Sequence, residues 1–230
     1  MDIDTTFDFR SDTPPGMDPD ARSPTLRRYH RLLWSKPLPC GQSFDLVEGS
    51  GAYLHHESDL GTFYLSSDAV MATFTRRNLP YLTEVPHSDL EAFDTLGYTI
   101  GGIMIWPGKR IDNKMTINQQ RGLHARIADR FDLTMECIRR HYRGEDSPLA
   151  ETLQRYSAFF NLFGDFGGFV RFFLLDDLVD GDHRIRFFTD DFDDFTRGPV
   201  PPDLETYLEF RRRSMDFIDA RNRRIAAVGY

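Results

Sequence analysis

The sequence predicts an α+β fold, with a β-rich N-terminal part of antiparallel strands packed against a mainly helical C-terminal part. Three observations carry this. Between residues 40 and 106, short runs alternate apolar with polar residues (Phe44/Leu46, Tyr53/His55, Phe63/Leu65, Ala72/Phe74), punctuated by Gly41, Gly49, Gly51 and Gly61. A period of two broken by glycine marks half-buried strands and hairpins. Beyond residue 116 the apolar period becomes helical, and neither an internal repeat nor a low-complexity linker divides the 230 residues. The expectation is one domain over 1–230: an acidic, turn-rich segment at 1–22, a β-rich part at 23–115 and a helical part at 116–230.

In the first segment Asp12-Thr13-Pro14-Pro15-Gly16 and Asp18-Pro19 read as turns, and Phe7/Phe9 as a short edge strand. Ser23 is a natural N-cap and Pro24 a natural first helical residue. Leu26, Tyr29 and Leu33 then share one face, Arg27, Arg28 and Arg31 lie off it, and Pro37 and Pro39 end the helix near Ser35. Ser88 with Glu91 three residues on reads as a capping box opening a helix to Leu96. Tyr98–Trp106 reads as a buried strand, with Gly101-Gly102 marking a bulge or close packing. Ile127, Phe131, Met135, Ile138 and Tyr142 recur at helical spacing up to Gly144, and Ser147-Pro148 starts a helix running to Gly164. Phe166–Val179 fits either a buried helix or a strand, and His183–Thr189 alternates as a strand. Asp203 opens the longest helix, with Leu204, Leu208, Arg211, Met215, Ile218, Asn222 and Ile225 along one stripe.

Composition bounds the function classes. With 40% hydrophobic residues, 20 Phe and 9 Tyr, the chain can bury an aromatic core. No apolar run approaches the ~18 residues of a membrane span; the longest, Phe169–Leu175, is broken by Arg171. The first residues are acidic, unlike a signal peptide. Cys40 and Cys137 are far apart with no C-x-x-C, so the chain reads as cytoplasmic, with neither a disulfide framework nor a cysteine zinc site. The basic residues are 25 Arg and 3 Lys, the acidic ones 27 Asp and 9 Glu, and the formal net charge is −8. Phosphate-loop, dinucleotide, zinc-protease and nucleophile-elbow motifs are all missing.

On so acidic a chain, local positive charge marks where an anion would sit. The helix after Ser23 gathers Arg27, Arg28, His30, Arg31 and Lys36, which would clamp phosphate or carboxylate. Arg121, in Thr116–Gly122 at a helix start, together with Arg130 and Arg139, extends the candidate ligand-binding set. The competing reading is of solvated or self-paired charge, and for Arg139–Arg143, of cations at a helix C-terminus. A second candidate is catalytic: His55 or His56 on one strand, with Ser67 and Asp68 on its neighbour, as acid/base partners of a transferase or hydrolase. Adjacent strand histidines point to opposite faces, so only one enters a common site. This strand histidine is faintly similar to that of ADP-ribosyltransferases, over a handful of residues and without their downstream Tyr…Glu pair. The acidic run Asp176, Asp177, Asp180, Asp182, Asp190, Asp191, Asp193 and Asp194 fits no EF-hand pattern and reads as loop and cap chemistry, so no metal is expected.

Whole segments resemble an uncharacterised bacterial protein family of unknown function: Phe7-Asp8-Phe9-Arg10, Asp12–Gly16, Ser23–His30, Leu33–Pro39, Asp129–Thr134 with Glu136–Arg140, and Phe172–Leu175. The resemblance spans nearly the full length and implies a free-standing intracellular protein, with no activity or cofactor to carry over. The expected function is binding of an anionic ligand, a nucleotide or nucleic acid, through the Arg-rich helix. The alternatives are the histidine-based transferase or hydrolase, and an interaction protein pairing through the Leu204–Ile225 stripe.

Overall fold

The computed structural model describes residues 3–48, 54–72, 74, 79–189 and 192–228. Its elements are α1 (Pro19–Arg22), α2 (Pro24–Trp34), β1 (Lys36–Pro37), β2 (Ser43–Phe44), β3 (Val47–Glu48), β4 (Leu54–Ser58), β5 (Gly61–Ala69), α3 (His87–Gly97), β6 (Ile103–Pro107), α4 (Ile117–Leu123), α5 (Phe131–Arg143), α6 (Ala150–Arg155), α7 (Ser157–Asn161), α8 (Phe166–Phe172) and α9 (Leu204–Ala227). The class is α+β: the sheets lie in the N-terminal half, and the second half is helical.

The main sheet is antiparallel throughout, in the order β3-β4-β5-β6. β5 is central: Leu54 pairs with Leu65, His55 with Tyr64, and on its other edge Ser67 pairs with Ile105 and Asp68 with Met104. β6 is buried along its whole length, as its run Ile-Met-Ile-Trp requires. A contiguous core runs from Phe9 through Trp34, Trp106 and Phe173 to Ile225, and its aromatic residues meet mainly edge-on or tilted, as with Phe163–Phe169 and Phe159–Phe163.

The Ser23 cap forms as the sequence implies. Its hydroxyl accepts from Leu26 N–H at 3.1 Å and donates to Asp12 at 2.6 Å. Ser23→Ala is expected to cost about 1 kcal/mol, read as a lower urea midpoint with an unchanged m-value.

Several local readings are corrected. Phe9 opens a 3-10 helix (Phe9–Asp12), not an edge strand, because Asp8 caps the N–H of Arg10. α3 begins at His87 after Pro86, so Ser88 lies inside it and caps nothing. The Ala72/Phe74 alternation lies outside every strand. The Ser147-Pro148 signal leads instead to two short helices, the first with Leu149 at its N-cap. His183–Thr189 contributes a single bridge, Val179 with Ile185. Phe166–Val179 resolves as helix, α8 followed by a 3-10 turn.

In α9 the buried face is Tyr207, Phe210, Ser214, Phe217, Ile218, Arg221, Asn222 and Ile225, so Leu208 faces outward. The stripe shifts because the backbone at Gly101-Gly102 approaches α9 closely. A Cβ on Gly101 would lie 2.6 Å from Asn222 Oδ1 and from the Ile218 carbonyl. Asn222 accepts from Gly101 N–H at 2.7 Å and donates to Thr99 Oγ1 at 2.8 Å. Arg221, fully buried, donates to the carbonyls of Gly101, Ile103 and Phe173. Ile218, Asn222 and Ile225 are therefore packed within their own chain. No helix among the described residues is long and apolar enough to cross a membrane.

Candidate functional site

Four carboxylates and one arginine meet where α1, the end of β5 and the α4–α5 turn come together. α1 has Asp18 as N-cap and Pro19 in its first turn, which places Asp20 at the second helical position; the Asp18 carboxylate accepts from Asp20 N–H at 3.1 Å. One carboxylate oxygen of Asp20 is buried with no hydrogen-bond partner among the described residues. Burial, then repulsion from Asp68 and Asp18, push its carboxyl up to about 8. Burial thus favours the protonated form of Asp20 at neutral pH.

Arg121 is fully buried, the outcome of α4 beginning at Thr116 in a capping box with Gln119. Its guanidinium donates to Asp68 at 2.6 Å, to the Asp129 carbonyl at 2.6 Å and to Thr134 Oγ1 at 3.2 Å, and forms an ion pair with the Asp129 carboxylate at 2.9 Å. It lies over the Trp106 ring at 5.7 Å. Asp129 N–H returns a bond to the Arg121 carbonyl at 3.0 Å. Ala128 and Asp129 are consecutive non-glycine residues with φ of 43° and 65°. Such backbone costs on the order of 1–3 kcal/mol per residue and persists where surrounding bonds over-determine it, commonly at functional sites. Burial pushes the Asp129 carboxyl up to about 6 and raises that of Asp68, both against the pull of Arg121. The Tyr98 phenol, close enough to feel Asp20 and Asp18, is pushed up to about 12, chiefly by burial.

One residue before Asp68, Ser67 meets a histidine, but not one that the strand pattern suggested. His30 Nε2 lies 3.0 Å from Ser67 Oγ, and the Trp34 indole N–H donates to His30 Nδ1 at 3.1 Å. An indole N–H only donates, so Nδ1 is the acceptor and Nε2 carries the proton given to Ser67. Burial, with Arg221 and Arg27 nearby, pushes His30 down to about 3. His30 is thus a neutral, position-fixing group with no lone pair free to take a proton from Ser67.

The other sequence candidates scatter. His56 is buried, between the Asp45 carbonyl at 3.0 Å and Ser58 Oγ at 2.8 Å. His55 stacks on Tyr64. In the β4–β5 register His55 lies opposite Tyr64 and His56 opposite Phe63, so neither histidine reaches Ser67 or Asp68. Arg31 pairs with Glu48 at 3.1 Å, Arg28 lies over Tyr29, and Lys36 donates to the Phe172 carbonyl at 2.5 Å between the rings of Trp34 and Phe172. Arg139 pairs with Glu136, and Arg130 is buried against Asp132. These cations go to separate neighbours. In the acidic run, Asp176 and Asp177 pair with Arg224, Asp193 with Arg197 and Asp194 with Arg140, while Asp190 and Asp191 lie outside the described residues. Among the described residues, no group of three or more His, Cys, Asp or Glu is placed to hold a metal ion.

Residues 3–225 match the model of a family of unknown function (DUF6994). No curated protein and no solved structure matches the chain.

Proposed function

We propose, the chain belonging to this family of unknown function, that Asp20, Asp68 and Asp129 around Arg121 form the acid–base centre of an enzyme. The observation that carries this reading is geometric: Asp20 lies beside Asp68 and Asp129 with one carboxylate oxygen buried and unpartnered among the described residues, and burial pushes its carboxyl up to about 8 but that of Asp129 only to about 6. A pair of like groups held apart in proton affinity is how one site offers an acid and a base at once. Asp20 donates its proton to a leaving oxygen or nitrogen. Asp129 accepts one from the attacking water or hydroxyl, and the site's proton count is unchanged. Arg121 counters the upward push of burial on Asp68 and Asp129 and holds both in place. With Asp20 neutral, one cation faces the three other carboxyls, Asp18, Asp68 and Asp129, so the site favours a neutral or cationic substrate bearing hydroxyl or amino groups over an anion. The reaction class is hydrolysis or group transfer.

Titrating the aspartate side-chain carboxyl carbons by NMR tests this. Asp20 is expected to change charge near pH 8 and Asp129 near pH 6. An Asp20 carboxyl that titrates with the ordinary aspartates, near 4, overturns the reading. Nucleotide or nucleic-acid binding on α2 draws less support: Arg31 and Lys36 are engaged elsewhere, and the exposed Arg28 lies over Tyr29.

A further inference from the structure

The surface around α4 is basic and apolar at once. Residues 109–126 hold five Lys or Arg and a single acid, Asp112, on a chain of net charge −8, so the rest of the chain is more acidic still. Of the five, Arg121 is buried and ion-paired. Lys109, Arg110, Lys114 and Arg126 are exposed, and none has a carboxylate within ion-pair distance among the described residues. Lys109 Nζ lies over the Tyr64 ring at 4.7 Å and Arg110 donates to Gln119 at 3.2 Å, so neither is neutralised. Every residue from Lys109 to Met115 is exposed, yet the segment is held in shape. Lys114 N–H donates to the Ile111 carbonyl at 3.0 Å, closing a tight turn in which Asp112 and Asn113 have φ of 53° and 56°. The end of α6 clamps both sides: the Tyr156 hydroxyl donates to the Lys109 carbonyl at 2.9 Å, and Arg155 to the Met115 carbonyl at 3.0 Å. Ile111, Met115 and Leu123 stand exposed among these cations, Leu123 at 74%. α4, seven residues and about 10 Å long, joins the turn at its start to Leu123 and Arg126 at its end.

We propose that this surface docks the protein on an anionic lipid bilayer, the four free cations meeting headgroup phosphates and Ile111, Met115 and Leu123 entering the boundary between headgroups and acyl chains. Cations interleaved with apolar side chains are what that boundary selects. The phosphates of a nucleic acid would meet the same cations but leave the three apolar side chains in water. The acidic remainder of the chain is repelled by the same bilayer, which sets the docked orientation. A Lys or Arg near such a surface is worth about fivefold in partitioning, so four of them give half-binding at about 1 mM lipid, a reversible attachment.

Co-sedimentation of the full chain with sucrose-loaded vesicles tests the proposal. The vesicles are phosphatidylcholine alone or an equal mixture with phosphatidylglycerol, at about 0.1 M salt. The protein is expected to sediment with the mixed vesicles and to stay in solution with the neutral ones, and about 1 M salt should release it. Lys109→Gln with Lys114→Gln should lower the partitioning about 25-fold, and Leu123→Ser at least about threefold. All three positions are exposed, and an unchanged Tm marks a folded variant. Equal sedimentation with both vesicles, none with either, or unchanged partitioning in the lysine pair overturns the proposal. Binding to a single-stranded oligonucleotide at lower concentration than to the mixed vesicles makes the partner a nucleic acid, and overturns it equally. Loss in Arg28→Glu with retention in the lysine pair moves the contact to α2, with the same result.

Discussion

Asp20→Asn is expected to make the protein more stable at neutral pH while removing its proton donor. In the folded chain burial pushes the Asp20 carboxyl up to about 8, against about 3.8 for an ordinary aspartate. Its folded value is raised, so between those values the folded state holds a proton that the unfolded state has lost. Stability therefore falls by about 1.4 kcal/mol per pH unit through that window. The full penalty is present above pH 8 and absent below pH 4. At pH 7 the upper bound is roughly 4 kcal/mol. Relaxation and water entry around a half-exposed cluster reduce it, and a gain of about 2 kcal/mol is expected, or about 4–8 °C in Tm for a chain of this length. Asparagine keeps the shape of the protonated acid, and its N–H groups can donate to Asp68 or Asp129. Urea unfolding at several pH values checks the sign: the advantage of Asn should vanish at pH 4 and grow up to pH 8. A variant less stable than wild type at pH 7 would show that Asp20 is an ordinary ionised residue. Stability gained where a group is removed marks a residue kept for chemistry over packing.

Much of the frame was legible in the sequence. The Ser23-Pro24 start, the Gly144 stop and the Asp203 cap each act through bonds within a few residues, and each stands in the structure. Ser67, Asp68 and Arg121 carry signals in the sequence, but the partners those signals suggest are not the ones the fold gives them. His30 was placed among the ligand-binding cations, yet Leu26, His30 and Trp34 follow one another at four-residue steps, which sets His30 on the buried face of α2. That spacing could have separated it from Arg27 and Arg31. Asp20 and Asp129 left no usable signal. α1 is only four residues long, and Asp129 depends on two left-handed residues that neither glycine nor asparagine announces. Their meeting with Asp68 joins positions about 50 or more residues apart, a distance no periodicity covers. The Ser88 capping box misled because Pro86 starts the helix early, and the α9 stripe misled because a glycine pair admits a buried arginine and asparagine where apolar residues are the rule.

Arg121→Met should produce the largest loss of stability, and one that acid partly reverses. Methionine fills a similar volume over Trp106 but leaves Asp68 and Asp129 without their shared cation, and Thr134 Oγ1 and the Asp129 carbonyl without a donor. Breaking a buried pair by removing one partner costs about 3–5 kcal/mol, because the remaining charge is left uncompensated. Asp68 and Asp129 are raised by burial even with Arg121 in place, and its removal raises them further. Raised acids penalise the fold increasingly as pH rises, so the deficit should be greatest near pH 8 and shrink as the pH falls and the carboxyls take protons. Adding Asp68→Asn to Arg121→Met should restore part of the loss at pH 8 and little at pH 5, a coupling visible in a double-mutant cycle of urea midpoints. A deficit independent of pH, with additive single effects, would assign Arg121 to packing alone and would leave Asp129 without a reason for its left-handed backbone. The expected pattern instead ties the strained turn, the buried cation and the protonated Asp20 into one electrostatic unit, in which a single arginine decides which aspartates hold protons and which release them.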